Sequence, residues 1–173
     1  MDYQQQISLL QQQIRNMSLL VTDLLRKRNE KLVTAESLTG GMLSSSIVTH
    51  PGTSSIMEGG IVAYQDHVKS EFLGVPRSIL DDPHQGAVSE ACALYMCDGA
   101  LHQFLKATYA VSTTGFAGPS GYEIGKVFIA IVKRGNAPEQ KVCYECHFTG
   151  DRDIVRMKTT LTALLRLYEL LVI

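Results

Sequence analysis

The sequence brings three side chains that could together activate a nucleophile into one stretch: Ser54, Tyr64 and Lys69. A serine hydroxyl needs a nearby base before it can attack a carbonyl carbon at neutral pH. Lysine can be that base when burial disfavours its charged form, and a tyrosine hydroxyl between the two could relay the proton. The pattern predicts nucleophilic catalysis. The structural alternative makes Ser54 a turn residue after Pro51-Gly52 and Lys69 a solvated helix charge.

A second candidate is the segment Ser37–Gly41, which follows a predicted strand and opens a helix at Thr39-Gly40-Gly41. The free N–H groups and positive dipole end of a helix start attract phosphate or carboxylate, and glycine lets a ligand approach the backbone closely. An ordinary helix cap by Ser37 or Thr39 is the alternative. The residue types alone leave both interpretations open.

The glycine-rich loop 115–121 follows another predicted strand, so it should reach the sheet edge where ligands bind in α/β folds. It is not a Walker A loop, because Gly121–Val127 has three residues between its glycines and no Ser or Thr after Lys126. The sequence also lacks HExxH, GxSxG and closely spaced histidines. We therefore predict neither a metal site nor a cofactor.

The four cysteines include the pair Cys143 and Cys146, whose spacing invites a metal or redox interpretation. The pair lies in a β-like run, where side chains three positions apart point to opposite faces. No second CxxC follows. We expect a plain strand with reduced thiols, as in a cytoplasmic protein.

Strand and helix patterns alternate along the chain, and a late hairpin joined by Gly135–Pro138 makes the predicted sheet mixed rather than purely parallel. The helix 4–28 has one apolar stripe, which packs on the domain body or forms a subunit seam. The run Gly60–Tyr64 is predicted to be a buried strand. The other predicted helices span 66–73, 89–105 and 152–170, and a further short helix ends near residue 49. The other predicted strands span 31–35, 108–113, 126–134 and 140–148.

Composition indicates one domain of 173 residues, with 45% hydrophobic and 19% charged residues and a formal net charge of -1. Such a chain offers no basic field to nucleic acid. No apolar run is long enough to cross a membrane, and the N-terminus does not resemble a secretory signal. We expect a cytoplasmic protein that binds neither nucleic acid nor membrane.

Several motifs in register resemble the CinA C-terminal domain family, which includes PncC-type nicotinamide-nucleotide amidases. Together they extend over nearly the whole chain. They are Thr34–Gly41 (TAESLTGG), Pro51–Ser55, Gly60-x-Val62-x-Tyr64 with Lys69, Gly74-Val75, Gly86–Ser89, Thr114–Pro119 and Thr149–Arg152.

The resemblance implies a three-layer α/β/α sandwich with a mixed, mostly parallel sheet. It also implies hydrolysis of nicotinamide mononucleotide to nicotinate mononucleotide and ammonia, in pyridine nucleotide salvage, by a homo-oligomer. The family's catalytic serine, tyrosine and lysine correspond to Ser54, Tyr64 and Lys69. Its substrate-binding residues correspond to Ser37, Thr39, Gly40, Gly41, Gly115, Phe116, Ala117, Gly118 and Arg152.

Three features depart from the family pattern. Leu38 stands where cysteine is common, and the loop 119–125 is shorter than usual. We also expect the stand-alone form, in which no nucleotide-pyrophosphatase domain precedes this one. The short loop bears on the lid of the pocket and hence on the substrate. The alternative function is a nucleotide-binding regulatory module of the competence/damage-inducible type with weak or no turnover.

Overall fold

The computed structural model describes residues 1–135, 137 and 141–173. Within these ranges, five strands form one sheet with the order β2-β1-β3-β4-β5. β1 pairs in parallel with β2 and with β3, whereas β3, β4 and β5 pair antiparallel. The strands are β1 (Leu32–Glu36), β2 (Met57–Val62), β3 (Tyr109–Gly115), β4 (Lys126–Lys133) and β5 (Lys141–His147).

Helices cover both faces of the sheet, which confirms the predicted mixed α/β/α sandwich. The parallel part is limited to the three strands β2, β1 and β3. Part of the predicted turn Gly135–Pro138 lies outside the described residues. The helices are α1 (Tyr3–Arg28), α2 (Met42–Val48), α3 (Asp66–Leu73), α4 (Arg77–Leu80), α5 (Glu90–Gln103) and α6 (Arg152–Leu171).

Two hydrophobic clusters lie on opposite faces of the sheet. One joins α1 and α6 to residues such as Val111 and Ile129, and the other joins α3 and α5 to residues such as Ala110 and Ala130. Cys143 packs against the α5 cluster and Cys146 against the α6 cluster. The prediction that these two cysteines point to opposite faces of a strand is therefore confirmed.

The long helix α1 packs its apolar stripe against α6. A capping box between Asp2 and Gln5 starts α1, and Asn29 ends it in the left-handed conformation at φ 51°. Inside the molecule, the Ser18 hydroxyl lies 2.8 Å from Nε2 of the buried His50, just beyond α2. α1 thus stabilises one face of the sandwich and holds the chain that leads into β2.

β2 differs from the strand that the sequence predicts. It ends at Val62 rather than Tyr64, and it lies at the sheet edge, where Gly60 and Val62 are exposed. A continuous apolar run is typical of strands buried on both faces, but it does not show whether a strand has neighbours on both sides. The expectation of a buried strand was therefore wrong.

The carboxylate of Glu36, 1% exposed, connects the end of β1 to the start of α2. It accepts hydrogen bonds from Leu43 N at 2.8 Å and from Ser44 N at 3.0 Å. It also accepts from the hydroxyls of Ser44 and Thr39. Because Gly41 precedes α2 without a side-chain cap, Glu36 supplies the acceptors that the first turn of the helix requires.

Glu36→Gln is expected to lower the free energy of unfolding by about 1.5–3 kcal/mol. The NH2 group of the glutamine cannot accept a hydrogen bond, so one of the two main-chain N–H groups that Glu36 serves is left without an acceptor. Urea unfolding followed by circular dichroism measures the change. The matched control is Asp81→Asn, which removes an exposed ion pair with Arg77 and should cost less than about 1 kcal/mol. Equal effects of the two substitutions would contradict the role given to Glu36.

Candidate active site

A cavity of about 280 Å³ opens at the carboxyl ends of β1, β2 and β3. Open α/β sheets bind ligands at this edge. A larger groove of about 400 Å³, between α1, α2 and α6, contains Arg15 as its one titratable side chain within the described part of the chain. The smaller cavity is lined by Ser37, Leu38, Tyr64, Gln65, Asp66, Lys69, Ala87, Val88, Thr114, Gly115, Phe116, Ala117 and Arg152.

Lys69 is the most unusual of these side chains, because it is only 2% exposed. It lies on the first turns of α3 and reaches back, so that its Nζ donates to the Tyr64 carbonyl at 3.1 Å. Asp66 Oδ1 lies 4.0 Å away. Burial lowers the pKa of Lys69, although the neighbouring Cys92, Asp66 and Tyr64 act in the opposite direction.

The Tyr64 hydroxyl lies at the mouth of the cavity and accepts a hydrogen bond from Arg152 Nη2 at 2.8 Å. Arg152 Nη1 donates to the Gly118 carbonyl at 2.5 Å. Arg152 therefore bridges the glycine loop and the end of β2. The phenol faces this guanidinium, while the Lys69 amine contacts the main chain of Tyr64. A proton relay through the Tyr64 hydroxyl is thus not assembled.

Ser54 is not part of this cavity. It lies in a 3₁₀ turn, Thr53–Ser55, before the first residue of β2, whereas Tyr64 and Lys69 follow its last residue. A strand of six residues extends for about 20 Å. Within a single chain Ser54 and Lys69 therefore lie at opposite ends of β2, and the expectation that they share one cleft is corrected.

Ser37 provides a serine hydroxyl inside the cavity. It directly follows β1, is 7% exposed, and its side chain makes no hydrogen bond within the described ranges. The Thr114 hydroxyl, by contrast, donates to the Ala87 carbonyl. Of the predicted serine and threonine site residues, Ser37 is the one that lines the cavity together with Lys69.

The predicted anion site at Thr39-Gly40-Gly41 is also corrected. The Glu36 carboxylate already occupies the N–H groups of the first helical turn. Thr39 is fully buried and bonds to Glu36 and Thr113. These three residues do not line the cavity, and phosphate would meet a negative charge there.

The sequence analysis did not predict the roles of two residues that hold the loop beside the cavity in place. Glu36 is the hydrogen-bond acceptor described above, and Arg156 donates to the carbonyls of Leu38 and Thr39 at 2.9 Å and 3.2 Å. An acidic residue at the end of an apolar strand, directly before a helix, is a signal that could have identified Glu36. Arg156 reaches its partners from α6, far along the chain, so no local pattern indicates its role.

Three residues of the predicted glycine loop, Gly115, Phe116 and Ala117, line the cavity. Gly118 does not line it but orients Arg152 through its carbonyl. The short loop closes where Gly125 N donates to the Phe116 carbonyl at 2.7 Å. At Gly125, φ is 92° and an added Cβ would lie 1.9 Å from the Phe148 carbonyl oxygen, so only glycine fits.

The charged groups at the cavity are Lys69, Arg152 and Asp66. In the part of the chain that the structure describes, His, Cys, Asp and Glu side chains form no group of three suited to hold a metal ion. None of the described helices combines the length and the apolar character needed to cross a bilayer.

The chain matches the CinA C-terminal domain over residues 14–171. A CinA-like protein of Thermotoga sp. (strain RQ2) is 40% identical over 149 residues, which cover 84% of this chain and 35% of the relative. A CinA-like protein of Dictyoglomus thermophilum is 38% identical, over 84% of this chain and 34% of its own length. The chain thus spans about a third of the length of the curated relatives it matches.

Solved structures show the same arrangement of elements. A CinA superfamily protein from Klebsiella pneumoniae has a TM-score of 0.85 at 32% identity, with 92% of this chain and 98% of that chain covered. A competence/damage inducible protein from Agrobacterium tumefaciens has a TM-score of 0.84 at 32% identity, over 91% and 95% of the two chains. The sequence match and the shared fold agree: the chain belongs to the CinA C-terminal domain family.

Proposed function

We propose that the chain hydrolyses the carboxamide of nicotinamide mononucleotide, giving nicotinate mononucleotide and ammonia. The observation that supports this most strongly is the Lys69 amine, buried at the end of β2 with a lowered pKa and directed into a polar cavity. A buried lysine that loses its proton easily is suited to be a general base. The amidase assignment itself comes from the family resemblance.

In this mechanism the neutral Lys69 amine takes the proton of a serine hydroxyl as the serine oxygen attacks the carboxamide carbon. The tetrahedral intermediate collapses when the protonated lysine gives its proton to the departing ammonia. Water then attacks the acyl-enzyme ester and releases the carboxylate and the serine. During acylation Lys69 takes one proton from the serine and gives it to the departing ammonia. The Lys69 amine is therefore neutral again when water attacks the acyl-enzyme.

The oxyanion needs donors that are not already used within the protein. The N–H groups of Ala117 and Gly118 donate to no acceptor in the described part of the chain, and Ala117 lines the cavity. Each such donor typically contributes about 3 kcal/mol to stabilisation of the transition state. The Ala117 N–H group is therefore our candidate donor for the oxyanion.

The phosphate of the nucleotide would contact Arg152 at the mouth of the cavity. Its guanidinium is exposed, and a planar fork of N–H groups suits phosphate oxygens. The bond to Tyr64 and the bond to the Gly118 carbonyl hold this guanidinium in position. Substrate binding therefore depends on the contact between α6 and the glycine loop.

Two serines are candidates for the nucleophile. Ser37 lines the cavity of the same chain as Lys69, whereas Ser54 can act there only from another chain. The family resemblance favours Ser54, and the geometry of a single chain favours Ser37.

A second candidate function is nucleotide binding without turnover, which the separation of Ser54 from Lys69 in one chain favours. Calorimetry with nicotinamide mononucleotide, together with an ammonia assay, distinguishes the two functions. Tight binding without ammonia release would support the binding module, and ammonia release would support the amidase.

Lys69→Met is expected to reduce ammonia release at least about 100-fold, because the base is lost while the shape of the cavity is nearly kept. The coupled ammonia assay measures this effect. The control is Lys106→Met, an exposed lysine away from the cavity, which should retain wild-type activity. An active Lys69→Met protein would contradict the role of Lys69.

Lys69→Met should also make the protein more stable at neutral pH, which separates loss of the base from loss of the fold. In the wild type, the folded pKa of Lys69 lies below the unfolded value of about 10.4, so the unfolded chain binds more protons between these two values. Wild-type stability therefore rises with pH across this window, and below it a charged, buried amine destabilises the fold. Urea titrations at several pH values measure this difference.

The rate of ammonia release should rise with pH until the Lys69 amine is neutral. A protonated amine cannot accept the serine proton, so activity is lost as pH falls through the pKa of Lys69. Because burial lowers this pKa, the rise should end below about pH 10.4, the usual lysine value. The profile of kcat/KM against pH measures it. A flat profile, or a rise centred on the pKa of an exposed lysine, would contradict the assignment.

A further inference from the structure

Asp66 supplies the one carboxylate among the described residues that line the cavity. It is the first residue of α3, and its side chain is 49% exposed. Its Oδ1 lies 4.0 Å from Lys69 Nζ, which is close enough for an ion pair but too far for a hydrogen bond. The carboxylate therefore faces the buried amine across the cavity, and no donor in the described part of the chain is hydrogen-bonded to it.

The helix dipole alone does not account for this position of Asp66. An acidic residue in the first turn of a helix is stabilising in itself, and Asp153 in α6 is an example. Asp153 is 65% exposed and pairs with Arg156 at 3.6 Å, outside the cavity. Asp66 is instead directed at Lys69, so its charge also acts on any group that binds beside that amine.

Hydrolysis of a carboxamide creates a negative charge within reach of Asp66. The carboxamide is neutral, whereas the carboxyl group of the product is ionised near neutral pH. Lys69 gives its proton to the departing nitrogen, which must therefore lie within about 3.2 Å of Nζ. An oxygen of the product carboxylate takes that place, so it lies at most about 7 Å from Oδ1 of Asp66. Two negative charges at this separation repel each other.

Without Asp66, the charges of the cavity would favour the product over the substrate. Arg152 would hold the phosphate at the mouth, and a protonated Lys69 would pair with the new carboxylate. Because Lys69 is only 2% exposed, salt would screen that pair poorly. A carboxylate already present 4.0 Å from the amine offsets the attraction for a second one.

We infer that Asp66 is a specificity-determining residue, whose carboxylate weakens binding of the carboxylate product relative to an uncharged ligand and thereby promotes product release. This role rests on the proposed function for the identity of the product. It gives Asp66 no part in proton transfer, and it holds whichever serine is the nucleophile.

Calorimetry with two ligands that contain no amide bond to hydrolyse tests this role. The first is nicotinate mononucleotide, and the second is pyridine mononucleotide, which has the same ribose, phosphate and ring charge but no carboxyl group. The ratio of their Kd values therefore reports on the carboxylate alone. Asp66→Asn is expected to favour nicotinate mononucleotide about 10-fold in this ratio, because a neutral amide does not repel the carboxylate.

Two further variants serve as controls. Asp66→Glu keeps the negative charge and should keep the wild-type ratio within about 3-fold. Asp153→Asn removes a carboxylate from the first turn of α6, outside the cavity, and should change the ratio less than about 2-fold. An unchanged ratio in Asp66→Asn, or an equal change in Asp153→Asn, would overturn the inference.

Ammonia release gives a second measurement. Nicotinate mononucleotide should inhibit Asp66→Asn with an inhibition constant about 10-fold lower than that of the wild type. The rise of kcat/KM with pH should also move to lower pH. Burial lowers the pKa of Lys69, whereas Cys92 on α5, Asp66 and Tyr64 raise it, and the variant loses the contribution of Asp66. Arg152, the other charged group of the cavity, is unchanged, and a purely structural Asp66 would alter neither quantity.

Failure of this inference and failure of the proposed function give different results. If the wild type releases no ammonia but the Kd ratio changes as expected, the proposed function fails and the effect of Asp66 on carboxylate binding is supported. If the wild type releases ammonia and Asp66→Asn keeps its ratio, the amidase is supported and the inference is overturned. A wild type that binds neither mononucleotide would overturn both.

Discussion

The arrangement of the cavity depends on one buried carboxylate. Glu36 lies at the end of β1, and its oxygens accept from the main chain of Leu43 and Ser44 and from the hydroxyl of Thr39. The chain must therefore turn sharply after β1 and return to Glu36 before α2 can begin. Ser37 and Leu38 lie within this turn, which directs them to the cavity. An uncompensated carboxylate in this place would be costly, so the turn and its hydrogen bonds form together.

The same carboxylate decides where an anionic ligand can bind. A helix start normally attracts phosphate, but here the chain supplies its own negative charge. The positive groups left for a ligand are Lys69 and Arg152, at the ends of β2 and β3. Lys69 is held in an environment that disfavours its charge, whereas Arg152 is exposed and fixed by two hydrogen bonds. This division suits a base inside the cavity and an anion contact at its mouth.

β2 is the element with the most consequences for function. As an edge strand it leaves one side open, and its length keeps the turn before it and the helix after it at opposite ends of the strand. Two closely spaced glycines, Gly59 and Gly60, allow Phe104 and Thr34 to pack against its two faces. The strand is thus tightly supported by its own chain on both faces while its outer edge stays available.

The sequence by itself determined the five strands, the helices other than α4, their order, the mixed sheet, the opposite faces of Cys143 and Cys146, and the glycine loop that reaches the cavity. These features follow from local periodicity and from the rule that ligands lie at the carboxyl ends of strands. Only the tertiary structure decided that β2 is an edge, that Glu36 occupies the helix start, and that Ser54 is far from Lys69. These three outcomes depend on which strands are neighbours and on which end of a strand each residue occupies. Spacing along a chain does not contain that information, because residues close in sequence on either side of a strand are separated by its full length.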